Sequence, residues 1–307
     1  MLIVLLSVLD SAAVCIWLFF QGISGGVSIK HGYWEYLMLI LLAWCGRGNI
    51  VEGMKKRLFR LQVRGSFITF ANEKKIREMR IGIIVAMEKE LRQLRGLMDE
   101  LNIERHGKKD FIRGRIAGSE VVLVQSGIGK VNAAIGAVEL INNYAPELIM
   151  STGVAGGAST DLNPMDVVVG TRYMYHDVYC GNEVSYGQFV GMPPHFDAPK
   201  EIVGKALALR CKEKIVAGEI VSGDWFVDTK EKMAEILEKC PKAVAVDMES
   251  ASIAHTCYVY RVPFVSFRII SDVPLKDTNA SQYYDFWDKI AEGSFEVTRM
   301  FIEECGV

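Results

Sequence analysis

The sequence predicts an α/β fold for residues 79–307, on two observations. Short apolar runs of strand character alternate along the chain with stretches of helical periodicity, the pattern of a sheet covered by helices. Carboxylates and glycine-rich turns stand directly after several of those runs, where buried strands would end. In open α/β sheets that edge is where ligands bind.

The elements follow in order. Residues 80–85 open the domain as a strand. Residues 88–101 read as a helix with Leu91, Leu94, Leu97 and Met98 at apolar positions. Residues 111–116 and 120–125 form a hairpin around Ala117-Gly118-Ser119. Residues 131–144 are a helix that Pro146 brings to an end. Residues 148–151, 166–170 and 171–175 are strand-like, and 152–157 reads as a glycine-rich loop. Next come a helix at 199–212, a strand at 214–221 and a helix at 229–239, stopped by Pro241. A strand at 243–246, a helix at 250–260, a strand at 263–270 and a closing helix at 284–302 complete the domain. Some antiparallel material lies among the alternating elements, and there is no internal repeat.

Residues 1–78 differ. Residues 2–20 are apolar apart from Ser7, Asp10 and Ser11, a second apolar stretch covers 36–45, and Lys55, Lys56, Arg57, Arg60 and Arg64 follow. A membrane helix needs about 20 apolar residues, which the first stretch barely supplies. No positive residue precedes it, against a secretory signal. The favoured reading is a spurious or dispensable leader, because Met79 is followed at once by a clean first strand. The alternative is a membrane anchor whose basic run keeps residues 79–307 on the cytoplasmic side.

With 307 residues, half of them apolar, the chain can bury a large core. A net charge of −2 and the lack of a basic stripe argue against nucleic-acid binding. The seven cysteines form no Cys-x-x-Cys pair and none has histidines at metal spacing, so they read as reduced core thiols of a cytoplasmic protein, with no zinc site.

Three acids draw attention. Glu90 follows the run 81–85, Glu249 follows 243–246, and Asp272 closes 267–272. Any one of them alone reads equally well as a helix cap. Together at one sheet edge they could serve as general base, hydroxyl clamp and general acid, the set that cuts a glycosidic bond. The loops Ser126-Gly127-Ile128-Gly129-Lys130 and Thr152-Gly153-Val154-Ala155-Gly156-Gly157 add backbone N–H donors close to a ligand. Neither NAD nor ATP fits. A dinucleotide fingerprint would need glycine where Asn132 stands, and a P-loop would need Ser or Thr after Lys130.

Several neighbours read as structural. His176 and Asp177 are adjacent on a strand, so they point to opposite faces. His255 reads as a helix-face residue, and Asp224 as a turn former or a structural hydrogen bond near the 222–227 segment. Arg268 is an exception. On an otherwise apolar strand, it could pair with Glu90 or Glu249 in a buried site.

These segments, with Tyr175-His176-Asp177, Tyr186-Gly187-Gln188, Val221-Ser222-Gly223-Asp224 and Val246-Asp247-Met248-Glu249, together resemble the 5′-methylthioadenosine/S-adenosylhomocysteine nucleosidases of the nucleoside phosphorylase-like superfamily. The resemblance spans essentially all of 79–307 and none of 1–78. It implies a single three-layer domain with a mixed central sheet flanked by helices, usually a homodimer, that needs no metal or organic cofactor. It also implies roles: Glu90 activates the attacking water, Glu249 holds the ribose hydroxyls beside Met248, and Asp272 serves purine N7. Phe226 would stack on adenine and the backbone of Val227 would read its edge. Met87, Ile128 and Val154 would line the ribose and 5′ region, with Gly156, Ser271 and Arg268 completing the binding set. Physical chemistry supports that division, because cleavage builds positive charge on the ribose and negative charge on the purine.

The sequence departs from the family pattern in three places. Residues 178–185 lack the usual aromatics, 276–283 is slightly long, and Val154 stands where serine is common. These leave the 5′ preference open. The expected reaction is hydrolysis of methylthioadenosine and adenosylhomocysteine. A purine nucleoside phosphorylase, a futalosine-type nucleosidase and a membrane-tethered nucleoside-binding module without catalysis are the alternatives.

Overall fold

The computed structural model describes residues 60–63, 66–69, 79–276, 283, 286 and 295–306. The two apolar stretches of the N-terminal segment lie outside the described residues, and so does most of the expected helix at 284–302. Two compact units divide the chain at Lys75/Ile76. In the first, β1 (Arg60–Val63) pairs antiparallel with β2 (Ser66–Thr69).

The second unit is a ten-stranded mixed sheet with flanking helices. Its first strand β3 (Ile81–Val85) is buried along its whole length and leads into α1 (Glu88–Arg95). The helix expected at 88–101 stops there, at Gly96, and Asp99–His106 is a strand, β4. Leu97 and Met98 still pack on the core, which is what helical periodicity had registered. β4 pairs antiparallel with β5 (Lys109–Ile116), and β5 turns through Ala117-Gly118 into β6 (Ser119–Gln125), the expected hairpin.

α2 (Lys130–Tyr144) ends at Ala145, before Pro146, and returns the chain to β7 (Leu148–Gly157). Here the structure corrects the sequence reading, because 152–157 is strand and not loop. The extension holds because β7 is paired on both sides. It runs parallel to β3 and β12 (Phe264–Asp272), and its Gly156 and Gly157 turn to pair antiparallel with Val246 and Ala245 of β11 (Ala243–Asp247). The segments read separately at 166–170 and 171–175 are one strand, β8 (Val167–Tyr175), with the short β9 (Phe196–Asp197) beside it. α3 (Lys200–Ala208), β10 (Ile215–Ser222), α4 (Lys230–Lys239), α5 (Ser250–Tyr260) and α6 (Glu296–Gly306) complete the order. Thr229 caps α4 by accepting the Lys232 N–H at 3.3 Å.

The strand order β11-β10-β8-β12-β7 closes on itself through β11–β7, and β3-β6-β5-β4 extends beyond it. Ile81, Ile83, Val121, Val122, Leu123, Leu148, Ile149 and Val168 are completely inaccessible, so these strands read as unbroken apolar runs because both faces are covered. The carboxyl ends of β3, β6, β10, β11 and β12 open on one cleft.

Candidate active site

The cleft is open to solvent and combines apolar walls with a few convergent polar groups, as small-molecule sites do. Of the residues singled out in the sequence, Met87, Glu90, Ile128, Val154, Gly156, Phe226, Val227, Met248, Glu249, Ser271 and Asp272 all line it. Arg268 does not. Trp225 and Tyr283, which sequence reasoning passed over, do.

Glu90 is 1 % exposed. The tight turn from β3 into α1 folds its carboxylate back on the chain. Oε2 accepts the N–H of Ala86 and of Met87, both at 2.9 Å, and Oε1 accepts the Val154 N–H at 3.1 Å. Burial raises its pKa, and Arg268 together with the three N–H donors only partly offsets that. A carboxylate whose pKa is raised binds a proton more strongly when ionised, which suits a general base.

Glu249 sits at the N-cap of α5 and accepts the Gly129 N–H at 3.0 Å. Gly129 adopts φ 96°, a left-handed value that side chains rarely take, which aims this N–H at the acid. Burial, with Asp247 and Glu90 adding like charge against Arg268, raises the Glu249 pKa to about 7. Asp272 ends β12 beside a register shift, where Ser271 donates its hydroxyl to Oδ1 at 2.6 Å. Burial raises the Asp272 pKa also, with the Ser271 bond opposing.

Arg268 is 1 % exposed and lies one layer behind the cleft surface. Its closest partner is neither expected acid. Nε contacts Asp247 Oδ2 at 2.6 Å, while Nη2 stands 3.8 Å from Glu249 Oε2. Nη2 also donates to Ser151 Oγ at 2.9 Å and Ser250 Oγ at 3.0 Å. Asp247 is held in turn by Ser222 and Ser250 and accepts the Glu249 N–H at 3.3 Å. Sequence reasoning missed Asp247. The signal was an acid at the end of one apolar strand and a lone arginine on another, since such charges are buried only in pairs. Removing one partner of such a pair costs about 3–5 kcal/mol.

Gly153 allows this crowding. A Cβ there would lie 2.4 Å from Glu90 Oε1 and 2.7 Å from Arg268 Nη1. Gly153→Ala is therefore expected to displace the base and cut turnover at least about tenfold while the fold survives, because one methyl in a packed site costs about 1–3 kcal/mol. Steady-state rates and a melting curve check this, and parental rates would show that Glu90 has room to move.

His176 is buried beneath Trp225, ring centroids 5.4 Å apart, and burial lowers its pKa. His255, read from the sequence as a helix-face residue, stacks on Phe196 with ring centroids 4.9 Å apart. Phe226 is 45 % exposed and meets Tyr283 edge-on at 5.2 Å, leaving a ring face for a planar ligand. The five cysteines among the described residues are free thiols, and three of them are buried.

The profile of the Phosphorylase superfamily matches residues 80–303. A 5′-methylthioadenosine/S-adenosylhomocysteine nucleosidase of Bacillus thuringiensis (strain Al Hakam) is 40 % identical over 232 residues, 74 % of this chain and 99 % of the relative. The solved Neisseria meningitidis nucleosidase of the same name, in complex with methylthio-immucillin-A, is 33 % identical with a TM-score of 0.68, covering 73 % of this chain and 99 % of that one. A futalosine hydrolase of Helicobacter pylori strain 26695 is 26 % identical with a TM-score of 0.68, covering 74 % and 98 %.

Proposed function

The chain belongs to the phosphorylase superfamily, among its 5′-methylthioadenosine/S-adenosylhomocysteine nucleosidases, and from that premise we propose how its residues cleave the N-glycosidic bond. The enzyme hydrolyses 5′-methylthioadenosine and S-adenosylhomocysteine to adenine and the 5-thio-ribose. One observation carries the assignment of roles: Glu90 in the first turn after β3, Glu249 at the N-cap after β11 and Asp272 at the end of β12 line one cleft, and each has a raised pKa.

Asp272, protonated, donates to purine N7. As the bond from the anomeric carbon to N9 breaks, its electron pair stays with the purine, which leaves neutral. Glu249 holds the ribose hydroxyls and stabilises the cationic sugar. Glu90 takes the proton from water as the water oxygen bonds to the anomeric carbon. The cycle ends with Glu90 protonated and Asp272 ionised, and exchange with solvent resets both. Phe226 and Val227 contact adenine, while Met87, Ile128, Val154 and Met248 line the sugar side. We place the activity wholly within residues 79–307, since the profile match begins at residue 80.

Hydrolysis is favoured over phosphorolysis because a phosphate dianion in a dry site needs fixed cationic donors. Arg268 is committed to Asp247, and ionised Glu90 repels an anion. Adenine release should therefore be unchanged by added phosphate. A ribose-1-phosphate product, with the rate rising in proportion to phosphate, would replace the hydrolase by a phosphorylase. Running methylthioadenosine, adenosylhomocysteine and a futalosine-type substrate side by side settles the 5′ preference.

We also infer a homodimer. α2 and α5 pack together and leave a groove lined by Val131, Ala134, Val138, Val259 and Tyr260, with Val131 71 % and Val259 54 % exposed. Sedimentation equilibrium should give twice the 34.3 kDa chain mass. A cytoplasmic location suits the free thiols. Among the described residues no helix is long and apolar enough to cross a membrane.

A further inference from the structure

We propose that Lys130, Asp177 and Asp224 form an electrostatic latch that positions the purine-contacting loop, and that this latch sets affinity for the nucleoside without taking part in bond cleavage. The inference rests on the nucleosidase reading above. None of the three residues lines the cleft, yet they tie together three segments distant in sequence. Lys130 Nζ lies 2.6 Å from Asp177 Oδ2, with the side chains 21 % and 9 % exposed. The same oxygen accepts the Asp224 backbone N–H at 2.9 Å. Asp224 Oδ1 accepts the Lys130 backbone N–H at 2.8 Å, and its Oδ2 is 3.7 Å from Lys130 Nζ. The bonds close a ring.

Position gives the ring its consequence. On one side Lys130 continues from Gly129, whose N–H binds Glu249, and from Ile128 on the cleft wall. On the other, Asp224 leads directly into Trp225, Phe226 and Val227, which line the adenine end. Phe226 is itself 45 % exposed, so the place of the loop depends on how its root is held. The ring therefore fixes the spacing between Ile128 and Phe226.

The charges make the latch one-sided. A single lysine balances two aspartates, and Asp177 Oδ1 is buried without a hydrogen-bond partner. Remove the lysine charge and the carboxylate of Asp177, 9 % exposed, faces that of Asp224, 50 % exposed, within much less than a screening length, so the two repel. The loop then moves away from Asp177 and carries Phe226 with it. Neutralising Asp177 as well removes that repulsion and keeps an oxygen for the Asp224 N–H.

The test compares the full-length parent with Lys130→Met, Lys130→Arg and the double variant Lys130→Met/Asp177→Asn. For Lys130→Met we expect KM for methylthioadenosine to rise about tenfold with kcat within about threefold of the parent, the signature of lost binding shared by ground and transition states. Inhibition by adenine should weaken in parallel. Lys130→Arg should keep parental KM, and the double variant should recover part of the loss, a coupling only interacting charges produce. An unchanged KM in Lys130→Met, a fall in kcat of the same size as the KM effect, or a double variant worse than the single would each overturn the latch. Lys130 also borders the groove between α2 and α5, so sedimentation accompanies the kinetics. A KM rise that appears only with dissociation of the oligomer likewise overturns it. Failure of the parent itself to release adenine is a distinct result, which removes the nucleosidase reading.

Discussion

Asp272→Asn protein, folded and assayed near neutral pH, is expected to release adenine on the order of 10²-fold or more slowly than the parent. The substitution keeps the shape of the side chain and an oxygen that can still accept from the Ser271 hydroxyl, which donates to Oδ1 at 2.6 Å. It removes the one property the reaction needs there, a proton that can be given away. Without it the purine must leave as an anion, and the developing charge on the ring has no acid to quench it. Burial raises the Asp272 pKa above the usual carboxylate range, which favours the protonated form. The sign for the parent follows. Activity that depends on the acid form falls as pH rises through the Asp272 pKa, and this limb is lost in the variant. Rates of adenine release across pH, with KM for each, test both statements. Near-parental turnover by folded Asp272→Asn protein would show that the proton comes from elsewhere.

Glu90→Gln should lose activity to a similar degree, about 10²-fold or more, through the opposite deficiency. Here the ionised form matters, so parental activity should fall as pH drops through the Glu90 pKa, which burial holds above the ordinary range. That acid limb should vanish in the variant. Glutamine brings a second cost. The carboxylate accepts from Ala86 and Met87 at one oxygen and from Val154 at the other, whereas an amide has one oxygen only. Whichever way it is turned, at least one backbone N–H faces an NH₂ group, and a buried unsatisfied donor costs about 1–3 kcal/mol. A lowered melting temperature should therefore accompany the lost rate. Single-turnover measurements separate the two effects, since a merely destabilised enzyme turns over normally in its folded fraction. A stable Glu90→Gln protein that retained parental single-turnover rates would remove Glu90 from the chemistry.

Much of the architecture was legible locally. Burial on both faces forces strands such as Ile81–Val85 and Ser119–Gln125 to be nearly continuous apolar runs, and a continuous run needs no partner to be recognised. Pro146 and Pro241 marked where helices must stop, because proline supplies no N–H and crowds the preceding turn. The three acids were visible because each stands directly after such a run. Residues 99–101 were read as helix and 102–106 were left unassigned, since the strand Asp99–His106 is mostly exposed and polar and the apolar positions before it continued the period of α1.

What the tertiary structure alone decided is which distant residues meet. The extension of β7 through Gly157 depends on β11 and β12, which come far later in the chain, so its glycines resembled a loop until those partners were in place. Arg268 chose Asp247 over Glu90 and Glu249 because the register of β12 against β7 sets where its guanidinium lies, and register is a property of paired strands. The ring of Lys130, Asp177 and Asp224 joins the first residue of α2 to two loops with no shared periodicity. By itself the sequence determined the strands, the acids and the glycines. Their distances, and with them the raised pKa values of Glu90, Glu249 and Asp272, came from burial, which exists only once the sheet has closed.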